Sequence, residues 1–220
     1  MADPRGILFD FNGVIVDDEP QHCRALIATL AEHGVEVDEP TYYDRYLGYD
    51  DRACIAQAWQ AAGRTLTDTL LKLLVNQKSE LYQRSIREHL TMVGGATEFV
   101  TAAATSGLRL GIVSGALRRE IDLVLSVAGL QQYFPVIIAA DDINACKPDP
   151  EGYRRGLDAL GLPTDAVMVI EDSFPGLAAA RAAGMRCTML ATSHERTELS
   201  DADLVWDDLV GRRPMDLPWH

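Results

Sequence analysis

The sequence predicts an α/β fold: a parallel sheet covered by helices on both faces, with a helical domain inserted after the first strand. Three observations lead there. Through the second half of the chain, short apolar, β-prone runs alternate with stretches of helical spacing. A run of the same apolar kind, Gly6 to Phe9, stands alone near the start. Between the two lies a stretch from Asp18 to about Leu90, rich in Ala, Leu and Gln, with no clear strand.

Gly6 to Phe9 reads as a buried strand. In the inserted stretch the apolar positions recur at helical spacing: Leu26, Ile27 and Leu30, then Ile55, Ala58 and Trp59, then Leu70, Leu74 and Leu81. Turns at Gly34, Pro40, Gly48 and Gly63 divide it into about four helices. After Gly94-Gly95 the alternation begins. Helices are expected over Ala96–Ser106, Arg118–Ala128, Glu151–Leu160 and Gly176–Ala183, the last with Pro175 near its start and Gly184 just past its end. Strands are expected in Arg109–Ala116, ending in a polar loop, Val136–Ala140, Ala166–Ser173, ending in acids, Arg186–Leu190 and, with a turn, Leu204–Leu209. This places residues 1–17 and 91–220 in a Rossmann-like core and residues 18–90 in the helical insert.

Composition narrows the function. At 220 residues, 47% hydrophobic and 24% charged, the chain can bury a sizeable core. Asp and Glu outnumber Lys and Arg 33 to 20, which repels nucleic acid and anionic membranes. No apolar run approaches the roughly 20 residues that span a bilayer, and no signal-peptide pattern opens the chain. A cytoplasmic protein, monomer or homodimer, is expected. The four cysteines, Cys23, Cys54, Cys146 and Cys187, form no CxxC pair or zinc-like spacing and read as reduced thiols.

Ligands of such sheets bind beyond the carboxyl ends of the strands. Four of these ends carry useful side chains: Asp10, Ser114, the loop reaching Lys147, and the pair Glu171-Asp172. Each alone has a plainer use, as a turn residue, a helix cap or a surface lysine. Together they suit one task. Two adjacent acids at the end of a buried strand call for a cation, and Mg²⁺ takes carboxylate and phosphate oxygens. Ser114, the backbone N–H groups after it and Lys147 can neutralise a phosphoryl group. The Asp10 carboxylate can then approach phosphorus and divide the transfer into two steps. Pro148 limits where the Lys147 ammonium points.

In this order, "FDFNGV", "IVSGA", "KPDP" and "VIEDSFPG" resemble the four motifs of the haloacid dehalogenase superfamily. The inserted helices, and "DDEP" at Asp17 to Pro20, resemble its β-phosphoglucomutase and phosphoglycolate phosphatase branch, whose insert is a helical cap. The resemblance implies that Asp10 is the nucleophile, that Ser114, Gly115 and Lys147 bind phosphate, and that Glu171 and Asp172 serve Mg²⁺. The backbone carbonyl of Asn12 would be a further Mg²⁺ ligand. It also implies a cap that closes over the site and selects the substrate.

The departure from the pattern is Asn12. Phosphatases and mutases of this superfamily usually carry an aspartate there, which protonates the leaving oxygen and then activates water. An amide donates a hydrogen bond of similar shape but exchanges no proton near neutral pH. Three outcomes follow: substrates with good leaving groups, a substitute acid from the insert (Asp50, Asp51 or Glu19), or a slow phosphatase or phosphate-ligand-binding protein with weak or lost catalysis. A sugar phosphomutase depends most on the missing acid. A Schiff-base route finds no lysine in Tyr46 to Cys54, and Lys72 and Lys78 fall on an expected exposed helix face. Arg52 could contact a distal anionic group. His22 is expected to be partly exposed, Trp59 to pack in the insert's core, Asp141 or Asp142 to orient Lys147 or both to be solvated, and Thr192 to Leu204 to be a polar surface loop. The expected substrate is a small phosphorylated metabolite.

Overall fold

A computed structural model of the chain describes residues 5–219. The described residues run from β1 (Gly6–Phe9) through α1 (Glu19–Glu32), α2 (Glu39–Arg45), α3 (Asp51–Ala61) and α4 (Asp68–Glu88). It then alternates: α5 (Ala96–Thr105), β2 (Arg109–Val113), α6 (Arg118–Ala128), β3 (Val136–Ile138), α7 (Glu151–Leu160), β4 (Val167–Glu171), α8 (Phe174–Ala182), β5 (Arg186–Leu190) and β6 (Leu204–Trp206). Residues up to Asp17 and from Thr91 onward form one compact unit, and Asp18–Leu90 the other.

The first unit is a six-stranded sheet in the order β3-β2-β1-β4-β5-β6, every pair parallel. This is the α/β, Rossmann-like arrangement. Its two central strands are buried along their whole length, as an all-parallel sheet requires. Full burial of a Phe or Leu side chain contributes about 1.5–3 kcal/mol. Phe9 also meets Phe99 and Phe134 edge to face, at 6.2 and 5.7 Å between ring centroids. β3 stops short of Ala140. The Asp142 carboxylate accepts the Ala139 amide at 2.9 Å, and Ala140–Asp142 curl into a 3₁₀ turn.

The second unit is wholly helical among the described residues. Side-chain caps start three of its helices: Asp38 for α2, Asp50 for α3 and Thr67 for α4. Trp59 is buried in its core with Leu26, Leu30, Ile55, Leu74 and Tyr82. One expectation fails here. Lys72 is exposed, but Lys78 is buried at 1% exposure. The buried row of α4 runs Leu74, Lys78, Tyr82, Ile86 at four-residue spacing, so Lys78 sits in the apolar stripe. Its ammonium is matched there by Asp51 at 2.6 Å and by the His22 ring nitrogen Nδ1. His22 in turn stacks on Tyr82 with 4.2 Å between centroids, and Asp18 accepts the Tyr82 hydroxyl.

Candidate active site

Strand register builds the site. Phe9 is level with Ile112 of β2 and Ile170 of β4. The residues just past these pairs therefore leave three neighbouring strands at the same end of the sheet. The Asp10 amide continues the ladder by donating to the Ile170 carbonyl at 2.8 Å.

Four of the expected residues meet there. The Lys147 ammonium contacts Asp10 Oδ1 and lies 2.5 Å from Glu171 Oε1. Its peptide bond to Pro148 is cis. Glu171 is fully buried and saturated with donors. Oε1 accepts Lys147 and the Tyr153 hydroxyl, the latter at 2.8 Å. Oε2 accepts the Asp172 amide at 2.9 Å, the Ser173 amide at 3.1 Å and the Ser173 hydroxyl at 3.0 Å. The Tyr153 ring lies 5.2 Å from the ammonium, in cation–π range. Ser173 also accepts the Gly176 amide at 3.1 Å and so starts α8.

Two glycines make room for the acids. Gly13 has φ of +72°, and a Cβ there would lie 1.9 Å from Asp172 Oδ2. At Gly176 a Cβ would lie 1.8 Å from Glu171 Oε1.

The electrostatics follow from burial and charge count. One ligand oxygen from each of Asp10, Glu171 and Asp172 lies within 4.8 Å of the others. Burial pushes the Asp10 carboxyl up to about 7, Lys147 pulling it down and Glu171 adding to the rise. Burial, then the charges of Glu171 and Asp10, raises Asp172 well above the carboxylate range. For Glu171 burial works upward too, but Lys147 and the surrounding donors outweigh it and hold its pKa down. Burial would lower the Lys147 pKa, but Asp10 and Glu171 drive it up instead. One ammonium thus faces three acids. The excess negative charge and the all-oxygen donor set fit a hard divalent cation such as Mg²⁺.

Ser114 stands at the end of β2, two residues past Ile112. It is buried, and its Oγ accepts the Ala116 amide at 3.0 Å, which leaves the hydroxyl proton to donate. Gly115 follows it, half-buried. Asn12 lies two residues past Asp10, in a short bridge to Val16. Arg52 is exposed in the first turn of α3, in the helical unit.

The candidate substitute acids have partners within the helical unit. Asp50 caps α3, Asp51 pairs with Lys78, and Glu19 accepts the Tyr42 hydroxyl at 2.5 Å. Neither Asp141 nor Asp142 orients Lys147. Asp141 accepts the Arg118 amide, and Asp142 closes its own turn. The expected surface loop after β5 does more than cover the protein. Thr192 Oγ1 donates to the Gly13 carbonyl at 2.6 Å, and Ser193 Oγ donates to Asp172 Oδ2. Tyr153, Ser193, Gly13 and Gly176 were not read from the sequence as parts of a site. Gly13 and Gly176 fall inside the strings "FDFNGV" and "VIEDSFPG" but were given no role there, and Tyr153 and Ser193 offered no local signal.

Comparisons with known proteins agree with this picture. A family model described as haloacid dehalogenase-like hydrolase matches residues 7–190. Validoxylamine A 7'-phosphate phosphatase of Streptomyces hygroscopicus subsp. limoneus is 28% identical, over 92% of this chain and 93% of its own. The CbbY protein of Rhodobacter capsulatus is 29% identical over 97% of each. Among solved structures, CbbY of Rhodobacter sphaeroides in complex with phosphate superposes with a TM-score of 0.88 at 25% identity, covering 97% of this chain and 100% of that one. An Asp-to-Asn mutant of that protein, in complex with xylulose-1,5-bisphosphate, gives 0.89 at the same identity, over 97% and 99%.

Proposed function

Since the chain belongs to the haloacid dehalogenase-like hydrolase family, we propose that it hydrolyses a small phosphorylated metabolite through a phospho-aspartate on Asp10. The observation that carries this is the contact of Lys147 with both Asp10 and Glu171, beside Asp172, at the carboxyl end of the sheet. The relative named as a phosphatase, and the phosphate and sugar bisphosphate in the solved CbbY structures, support the substrate class.

In this reading the phosphoryl oxygens are held by the Ser114 hydroxyl, the Gly115 backbone N–H, and Lys147. Asp10 attacks phosphorus as the bond to the leaving oxygen breaks. Water then hydrolyses the acyl phosphate and releases inorganic phosphate. Mg²⁺ would be held by Asp10, Asp172 and the Asn12 backbone carbonyl, with Glu171 beside it. When bound it supplies charge that offsets the repulsion between carboxylate and phosphoryl oxygens. Lys147 serves the same end from the protein. Its pairing with Glu171 keeps the ammonium aimed at Asp10. The Asn12 amide donates a hydrogen bond to the leaving oxygen but no proton, so substrates with weakly basic leaving groups, acyl phosphates or anhydrides, are favoured. Arg52 is assigned to a second anionic group of the substrate.

The test is a phosphometabolite screen with and without Mg²⁺, including acetyl phosphate, p-nitrophenyl phosphate, sugar monophosphates and sugar bisphosphates. Mg²⁺-dependent release of phosphate is expected, and Asp10→Ala should abolish it. Turnover that survives Asp10→Ala rules the mechanism out. Mg²⁺ and phosphate binding without turnover on any substrate would make the protein a binder.

A further inference from the structure

The loop after β5 reaches back to the acids. Ser193 is half-buried, and its hydroxyl donates to one oxygen of Asp172, Oδ2. The neighbouring Thr192 donates to the Gly13 carbonyl at 2.6 Å. Gly13 packs against that same Asp172 oxygen so closely that a Cβ there would lie 1.9 Å from it. Two adjacent hydroxyls therefore tie the ends of β1, β4 and β5 together around Oδ2. Oδ1 receives no hydrogen bond from the described residues. The Asp172 amide itself is committed to Glu171 Oε2.

We infer that Ser193 is a positioning residue that makes Asp172 a one-oxygen ligand and so biases the acidic cluster toward Mg²⁺ over Ca²⁺. The chemistry is that of the two ions. Mg²⁺ demands near-ideal octahedral geometry with short bonds and is satisfied by single carboxylate oxygens. Ca²⁺ takes more ligands in looser geometry and readily accepts both oxygens of one carboxylate. With Oδ2 committed to a hydroxyl and wedged against Gly13, Asp172 offers a cation Oδ1 alone. Outer partners of this kind typically carry 10–100-fold in metal affinity. The inference rests on the proposed metal site but not on which substrate the protein hydrolyses.

The experiment is calorimetric titration of Mg²⁺ and, separately, Ca²⁺ into the purified chain and its Ser193→Ala, Ser193→Cys and Ser193→Thr variants, with thermal melts to verify folding. The Ala and Cys variants remove or weaken the donor by different means, and at least one is expected to fold. Ser193→Ala should raise the ratio of Ca²⁺ to Mg²⁺ affinity about tenfold, and Ser193→Cys should move it the same way by less. Ser193→Thr keeps the hydroxyl and should hold the parent ratio. An unchanged ratio in folded Ala or Cys variants, with Mg²⁺ binding intact, overturns the role of Ser193 and leaves the proposed function standing. A parent chain that binds neither ion overturns both.

Discussion

Asn12 concentrates the functional question in one side chain. An amide can hydrogen-bond to a leaving oxygen but cannot give it a proton, and positioned acid–base groups are typically worth about 10²–10⁴ in rate. The size of that deficit depends on the substrate. Acetate leaves readily as an anion, whereas a sugar hydroxyl must be protonated as it departs. Rates for the parent chain should therefore fall steeply with leaving-group basicity, and Asn12→Asp should flatten the dependence. The expected gain is about 10²-fold or more on an alkyl phosphate and little on acetyl phosphate. The check is kcat/KM across a leaving-group series for both proteins. Equal slopes would mean that another group supplies the proton, although Asp50, Asp51 and Glu19 are each engaged inside the helical unit.

The elements that carry the site are held by contacts too close for substitution. α8 begins where Gly176 passes over the Glu171 carboxylate, and five donors hold that carboxylate still. Gly176→Ala cannot be absorbed by swinging Glu171 away. It must shift the first turn of α8 or break the Lys147 contact. Chemical denaturation should show a loss of about 1–3 kcal/mol or more, and activity should fall with it. In α4 the corresponding element is the buried Lys78. Lys78→Met keeps the stem's volume but strips Asp51 and His22 of their cation. Removing one partner of a buried pair costs about 3–5 kcal/mol, and Asp51, a fifth exposed, places the loss at the low end. Urea denaturation measures it, and an unchanged midpoint would show that the pair contributes nothing net. These two elements also show what could be read in advance. Asp10 and Glu171-Asp172 were legible because each ends an apolar run, and Lys147 because it stands in the short contiguous string "KPDP". Ser193 meets Asp172 only because β5 lies beside β4, and strand order is not written in any local pattern. Tyr153 reaches Glu171 from a helix whose inward face looks ordinary. Lys78 was misread because its charge outweighed the row Leu74, Tyr82, Ile86 that brackets it.

Across the whole molecule acidic residues exceed basic ones, 33 to 20, and the candidate site repeats that excess at close range, three acids around one lysine. Stability should therefore be linked to both pH and divalent metal. The Asp10 carboxyl, raised to about 7 in the folded chain from an ordinary value of 3.8, holds its proton in the native state over a range where the unfolded chain has released it. Between about pH 4 and 7 the folded state binds more protons, so this group lowers stability as pH rises. Asp172, also raised, acts in the same direction. Glu171, lowered, acts oppositely: its contribution is present above its unfolded pKa and fades as pH falls. Over weakly acidic to neutral pH Glu171 is ionised in both states, so the two raised acids leave metal-free protein losing stability from this site as pH rises. Mg²⁺ binds the ionised forms and must displace the protons, so its affinity rises over the same interval. A ligand that binds only the folded state stabilises it in proportion to ln(1 + [L]/Kd). The rise in Tm on adding a fixed Mg²⁺ concentration should thus be larger at pH 8 than at pH 5.5, and should vanish at both in Asp172→Asn, which has no carboxylate to ionise. Paired thermal melts decide it: an equal or larger rise at the acidic pH would mean that the cluster does not hold the metal through these carboxylates.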